Sequence, residues 1–212
     1  MGQPARKPEI FIPDFSLEDQ YDGIVCGTDE VGRGPLAGPV VAACVVIPQH
    51  LRSLPFVKEI KDSKKLSHTK RCKLFEAITE HFPYAISEIS PAKIDEINIL
   101  QASLLAMKTS CEEIGEIDHA LVDGNKAPDL SCSITTVIKG DSKSISIAAA
   151  SIIAKVHRDQ IMTKLALEYP YYGWESNAGY PTKAHIAALE QHGITPHHRK
   201  SFSPVRRIME HS

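Results

Sequence analysis

Four acidic side chains in this sequence lie where an apolar, β-branched run gives way to a turn. Asp29 and Glu30 follow Ile24, Val25 and Cys26; Asp123 closes the run His119 to Asp123; Asp141 follows Ser133 to Ile138 within Gly140-Asp141. Such runs read as strands. In an α/β sheet, strand ends gather along one edge, so residues far apart in sequence converge there. Adjacent carboxylates need a cation or a proton between them. A convergent set with no Cys or clear His partner suits hard ions held through oxygen, Mg²⁺ or Mn²⁺ rather than Zn²⁺. The matching chemistry is phosphoryl transfer by two ions about 3.5 to 4 Å apart, one making hydroxide from water and the other stabilising the leaving oxygen. Any one of these aspartates alone is an ordinary turn residue, and Asp62, in the loop before Ser67, is read that way; the argument rests on the set.

Between the first two strands, Thr28 to Pro39 reads T-D-E-V-G-R-G-P-L-A-G-P. A nucleotide-binding loop would run into a helix whose N-terminus receives phosphate, whereas here Pro35 and Pro39 lead into the apolar run Val40 to Ile47, a second strand. What remains is a loop whose backbone can approach another molecule closely, with Arg33 between Gly32 and Gly34, two residues lacking Cβ.

The rest of the chain supplies elements to hold these residues. Ser67 caps a helix running to about His81, and Tyr84 to Ile89 alternates like a strand. Ser90-Pro91 opens a long helix that ends near Gly115. From Ser144 a helix extends to about Tyr169, and its small residues Ala148, Ala149, Ala150 and Ser151 let it lie close against a sheet. Pro170 stops it. A loop with Trp174 and the turn Gly179-Tyr180-Pro181 precedes a last clear helix, Thr182 to Gln191, closed by Gly193. The pattern is α/β.

With 212 residues and 42% hydrophobic side chains, the chain can bury one substantial core, so one domain with terminal additions is expected. Met1 to Glu18, with Pro4, Pro8 and Pro13, lacks the long apolar stretch of a signal peptide or membrane span, and residues 1–21 read as a flexible or loosely docked extension of a cytoplasmic protein. Five cysteines without a Cys-x-x-Cys pair point to reduced core residues rather than a disulfide framework or zinc knuckle. A net charge of −2 speaks against a generic polyanion binder. The distribution is less neutral than the sum: from Lys183 to Arg207 five cations face Glu190 alone, with His185, His192, His197 and His198 interspersed. His192, His197 and His198 read as part of a mobile polar segment rather than a transition-metal site.

The run G-T-D-E-V-G-R-G-P-L-A-G-P-V-V-A-A closely resembles the signature of ribonuclease HII, the prokaryotic type 2 ribonuclease H. The resemblance continues through D-S-K-K-L-S at Asp62 to Ser67, D-E-I-N-I-L at Asp95 to Leu100, V-D-G-N at Val122 to Asn125, K-G-D at Lys139 to Asp141, A-A-S-I-I-A-K-V-H-R-D at Ala149 to Asp159, G-Y-P-T at Gly179 to Thr182 and H-H-R-K-S-F at His197 to Phe202. It covers residues 22–207 in order.

This resemblance implies a ribonuclease H-like mixed sheet flanked by helices with a helical C-terminal part, the catalytic domain spanning 22–212. It implies hydrolysis of the RNA strand of RNA/DNA hybrids and cutting 5′ of single ribonucleotides in duplex DNA, leaving a 3′-OH and a 5′-phosphate, with two Mg²⁺ or Mn²⁺ ions. By position, Asp29, Glu30, Asp123 and Asp141 match the family's catalytic acids. Gly32, Arg33 and Gly34 match its element at the 2′-OH, Tyr180 its junction tyrosine, and Lys64, ahead of Lys65, a phosphate contact. A monomer is expected, and a sliding-clamp contact stays open. Ribonuclease HIII, the nearest alternative, lacks the glycine-arginine-glycine element and carries a sizeable extra N-terminal domain, for which residues 1–21 are too short. Lys155 and Arg158, on a helix, are read as equally able to pair with nearby acids.

Overall fold

The computed structural model describes residues 12–211. Its strands are β1 (Val25–Val31), β2 (Val40–Val46), β3 (Tyr84–Ile89), β4 (His119–Asp123) and β5 (Ser133–Val137). Its helices are α1 (His68–His81), α2 (Pro91–Glu113), α3 (Ile145–Glu168), α4 (Trp174–Asn177), α5 (Lys183–His192) and α6 (Ser203–His211). The strands form one mixed sheet in the order β3-β2-β1-β4-β5: β2 runs antiparallel to β1 and β3, and β4 runs parallel to β1 and β5. The expected ribonuclease H-like α/β architecture is present.

Strand alternation sends the two faces of the sheet into different cores. Val41, Ala43 and Val45 pack with α1 and α3, while Cys26, Val40, Ala42 and Cys44 pack under α2. A third cluster, built around buried Trp174, Met162, Leu189 and Val205, joins α4, α5 and α6 to the C-terminal half of α3. Helix starts are set by side-chain caps visible in the sequence: Ser67, Ser90, Ser144 and Thr182 each accept from an amide three residues on. Each such cap contributes about 1 kcal/mol.

The crossing of α3 over β1 is what builds the site. An added Cβ on Gly27 would lie 2.2 Å from the Ile147 backbone nitrogen, so only glycine lets the start of α3 rest on the middle of β1. Ala148, Ala149 and Ala150 are fully buried in the same contact, as the small residues required. Asp141 precedes this helix and is thereby carried to the edge of β1.

Three features differ from the sequence reading. Helix α2 breaks at Asn98, which adopts φ 67°, and the Asn98 Oδ1 accepts from the amides of Leu100 and Gln101, starting the helix again as an internal cap. Helix α6 follows the element expected to be last. The third concerns the N-terminal extension, of which residues 1–11 lie outside the described residues. Residues 12–21 are not loosely docked. Asp14 bridges Ser144, and buried Glu18 accepts through Oε1 from the Ser144 hydroxyl at 2.6 Å, the Ser146 amide at 2.9 Å and the Ser146 hydroxyl at 2.6 Å. The free amides and positive dipole end of α3 attract this carboxylate. Tyr21 stacks on His119 with ring centroids 3.4 Å apart.

Candidate active site

Asp29 and Glu30 are consecutive residues inside β1, paired with Ala43 and Ala42 of β2. The reading that the strand ends before them, letting the turn aim both acids together, is corrected by this pairing, which runs on to Val31 opposite Val41. Alternation places Asp29 on the α3 face with Gly27, and Glu30 on the face of Cys26 and Thr28. Thr28 pairs with Val122 in parallel register, so Asp29 and Asp123 leave neighbouring strands side by side. Asp123 is fixed by accepting from the Gly140 amide at 2.6 Å, and the next residue, buried Asp141, sits in a single 3₁₀ turn spanning Gly140–Ser142.

Each of the other three acids acts on Asp29. Burial pushes the Asp29 carboxyl well above the usual aspartate value, and the charges of Glu30, Asp123 and Asp141 push it further. Glu30 is raised by burial and by Asp123 against the pull of Arg33, whose Nη1 lies 3.2 Å from Oε1. Asp141 is raised by burial, then by Asp62 and Asp123. Only Cys26, Cys44 and Cys111, among the described residues, bring three ligand atoms within 4.8 Å of one another, so the carboxylates form an open array rather than a closed cage.

Lys64 faces this array. Burial works against its charge, but Asp141, Asp29, Asp62 and Asp123 outweigh it and hold the ammonium above the usual lysine value. Asp62, read from sequence as a plain turn residue, caps the 3₁₀ turn Ser63–Lys65 by accepting from the Lys64 amide at 2.9 Å, and so positions that lysine. Lys65 pairs with Asp62 at 3.6 Å, and its charge, like that of Lys64, also acts on Asp141.

Beside the acids lies the loop of Gly32, Arg33 and Gly34. Gly32 has φ 95°, and a Cβ there would meet Arg158 Nε at 2.3 Å. The Arg33 side chain is half-exposed. A Cβ on Gly34 would touch the Tyr180 ring at 3.4 Å, so the loop and this 43% exposed tyrosine form one surface.

Two buried arginines hold that surface in shape. Arg158 donates to the carbonyls of Pro39, Ala178 and Ala37 at 2.9 to 3.0 Å, and Arg199 donates to those of Gly32, Arg33 and Gly38 at 2.6 to 3.2 Å. A guanidinium offers five donors in a fixed fork, which suits several carbonyls of a curled loop. Lys155 pairs with Asp159 at 2.5 Å, whereas the hydrogen bonds of Arg158 go to backbone carbonyls. The sequence did carry a signal for Arg158, since it continues the four-residue spacing of buried Ala154 and Met162. Nothing comparable marks Arg199.

The histidines do not form a mobile polar segment. Fully buried His185 uses Nδ1 to donate to the Tyr180 carbonyl at 2.9 Å, and its Nε2 receives the Trp174 indole at 3.1 Å and faces His198 Nε2 at 3.1 Å. Buried His198 accepts at Nδ1 from the Thr195 amide at 2.9 Å. Burial, with His185 and His197 adding, lowers its pKa to about 3, so both rings work as neutral hydrogen-bonding groups under the Tyr180 turn. His192 stacks on Tyr171 at the surface, 4.4 Å between centroids.

Comparison with known proteins adds an independent line. The family model described as Ribonuclease HII matches residues 26–205. The chain is 53% identical over 209 residues to Ribonuclease HII of Magnetococcus marinus, covering 94% of this chain and 96% of that protein. In structure it is similar to ribonuclease H2 from Pyrococcus horikoshii OT3, with a TM-score of 0.72 at 29% identity over 89% of this chain and 98% of that one. It is also similar to the ribonuclease in the PCNA:RNase HII complex from Archaeoglobus fulgidus, with a TM-score of 0.69 at 27% identity over 85% and 95% of the two chains.

Proposed function

The chain belongs to the ribonuclease HII family, and from that premise we propose that it hydrolyses the RNA strand of RNA/DNA hybrids and cuts 5′ of single ribonucleotides embedded in duplex DNA. Two-metal-ion catalysis would leave a 3′-OH and a 5′-phosphate. Membership makes the protein a nuclease, a hydrolase of the ribonuclease H class that acts on RNA/DNA substrates. No helix among the described residues is long and apolar enough to cross a membrane.

The observation that carries the finer reading is geometric: Asp29 and Asp123 leave neighbouring parallel strands, Glu30 adjoins Asp29, and the Gly140 amide that Asp123 accepts from brings in Asp141. Such an all-oxygen set fits Mg²⁺ or Mn²⁺, which would be held by these four residues. Bound divalent ions supply charge for activating water and for relieving the leaving oxygen. The chain's own residues do the rest. Backbone groups of Gly32, Arg33 and Gly34 lie in a loop that can approach the 2′-OH in the minor groove, the feature separating RNA from DNA. The Tyr180 ring gives a flat face to the sugar and base at the junction. Lys64, held charged by the acids, meets a backbone phosphate.

Asp29→Asn tests this assignment. It should abolish metal-dependent cleavage while leaving the circular dichroism spectrum unchanged, and full activity in that variant would remove Asp29 from the reaction.

A further inference from the structure

Under α2, on the sheet face away from α3, three thiols from three elements meet. Thr28 pairs with Cys44, so Cys26 of β1 and Cys44 of β2 point to the same face two residues out of register. Cys111, in the last turn of α2, closes the triangle, and the three sulfurs all lie within 4.8 Å of one another. All three are buried and free of disulfide bonds. The fourth cysteine of this region, half-buried Cys132, packs against the same cluster.

A surface groove of about 560 Å³ is lined by Cys111, Cys132 and Leu130 together with the acids Glu112, Glu116 and Asp118, so Cys111, 2% exposed, is the member of the three that borders solvent. We infer that Cys26, Cys44 and Cys111 form a three-thiol site for a trivalent thiophilic metalloid, of which arsenite is the simplest, reached through this groove.

Thiolate sulfur selects soft acceptors and rejects the hard ions that suit Asp29 and its neighbours, so the two sites would not compete. Charge then decides among soft acceptors. The packing around them is largely apolar, from Val40, Ala42, Ala102, Ala106, Ala120 and Val122, with the Thr28 and Ser110 hydroxyls beside Cys111. Three thiolates around a monovalent or divalent ion would leave uncompensated negative charge in this core, which is costly. A trivalent centre leaves none. The exchange balances without an oxidant: As(OH)₃ and three Cys–SH give As(S–Cys)₃ and three waters. Three As–O and three S–H bonds break, three As–S bonds form, each thiol proton leaves with a hydroxyl, and arsenic stays trivalent. The Cys26 and Cys44 thiols, with the Thr28 and Ser110 hydroxyls, lower the pKa of Cys111 against the effect of burial, which favours Cys111 as the first attacking thiol.

The test mixes the full-length protein anaerobically with one equivalent of sodium arsenite. Native mass spectrometry should show one arsenic gained and three hydrogens lost per chain, and X-ray absorption should show three sulfurs around arsenic. The melting temperature should rise, because the folded state alone holds the three thiols together. Cys111→Ser should lose the adduct and the rise. Absence of an adduct in the folded protein, coordination by two sulfurs, or equal uptake by Cys111→Ser would overturn the site. The coordination number needs no variant, so the outcome stands even where a substitution disturbs folding.

Discussion

Arg199 Nη2 donates to the Gly32 carbonyl at 2.6 Å across 167 positions of sequence, and both groups are buried. Arg199 thus sets the curvature of a loop that begins just after Asp29 and Glu30. The same guanidinium reaches Arg33 and Gly38, and Arg158 holds Pro39 and Ala37 from the other side.

Arg199→Lys should therefore fail as a conservative change. A single ammonium cannot replace the fork, and buried carbonyls left unpaired cost about 1–3 kcal/mol each. Urea denaturation should show a loss of at least about 3 kcal/mol, and a loss under 1 kcal/mol would show that the fork is dispensable.

Asp29→Asn should stabilise the metal-free protein. A carboxyl whose folded pKa is raised contributes stability below its ordinary value of 3.8 that is lost as pH rises through the folded value. Wild type without metal should accordingly weaken as pH rises from acid, with Glu30 and Asp141 acting in the same direction. The amide should remove part of that loss, by about 1 kcal/mol or about 2–4 °C in melting temperature near pH 7. Mg²⁺ should raise the melting temperature of wild type more than that of the variant.

His198 predicts an acid limit of opposite sign. Its folded pKa of about 3 lies below the ordinary 6.5, so the unfolded chain takes the proton first, and stability is intact above 6.5 and falls as pH drops towards 3. The loss reaches up to about 3 kcal/mol by pH 4. His198→Gln should flatten the slope by about one proton in denaturation curves collected from pH 7 to 4.

Tyr180→Ala should lower kcat/KM on a single embedded ribonucleotide by roughly 5- to 100-fold, the worth of one base stacked on an aromatic ring. Tyr180→Phe should keep the rate, since the ring face packed over Gly34 is what counts. Equal rates for wild type and the alanine variant would take the ring out of recognition.

The sheet and the places of Asp123 and Asp141 were legible because β-branched runs, capping serines and aspartate turns are local signals, whereas the continuation of β1 through Asp29 and Glu30 shows only in its pairing with β2. Asp123 and Asp141 fall at strand and turn positions that apolar periodicity marks directly. The roles of Gly32, Arg33, Gly34 and Tyr180 came from resemblance, since a glycine-rich turn alone has several meanings. Arg199 was illegible because its partners are backbone carbonyls, which leave no trace in side-chain pattern. The three thiols were hidden because Cys44 lies 18 positions after Cys26 and Cys111 lies 67 positions after Cys44, so only the register of β1 with β2 and the lie of α2 unite them. Helix α6 escaped although Val205, Ile208 and Met209 stand at helical spacing, because nine residues are a shorter window than a periodicity argument needs.

The central claim is a metal-dependent cut placed by the 2′-OH. A labelled DNA duplex containing one ribonucleotide should be incubated with Mg²⁺, with Mn²⁺ and with chelator, and the cut mapped to the nucleotide. The account predicts a single cut on the 5′ side of the ribonucleotide, ending in 3′-OH and 5′-phosphate and absent with chelator. A cut on the other side, or one that persists in chelator, would contradict it.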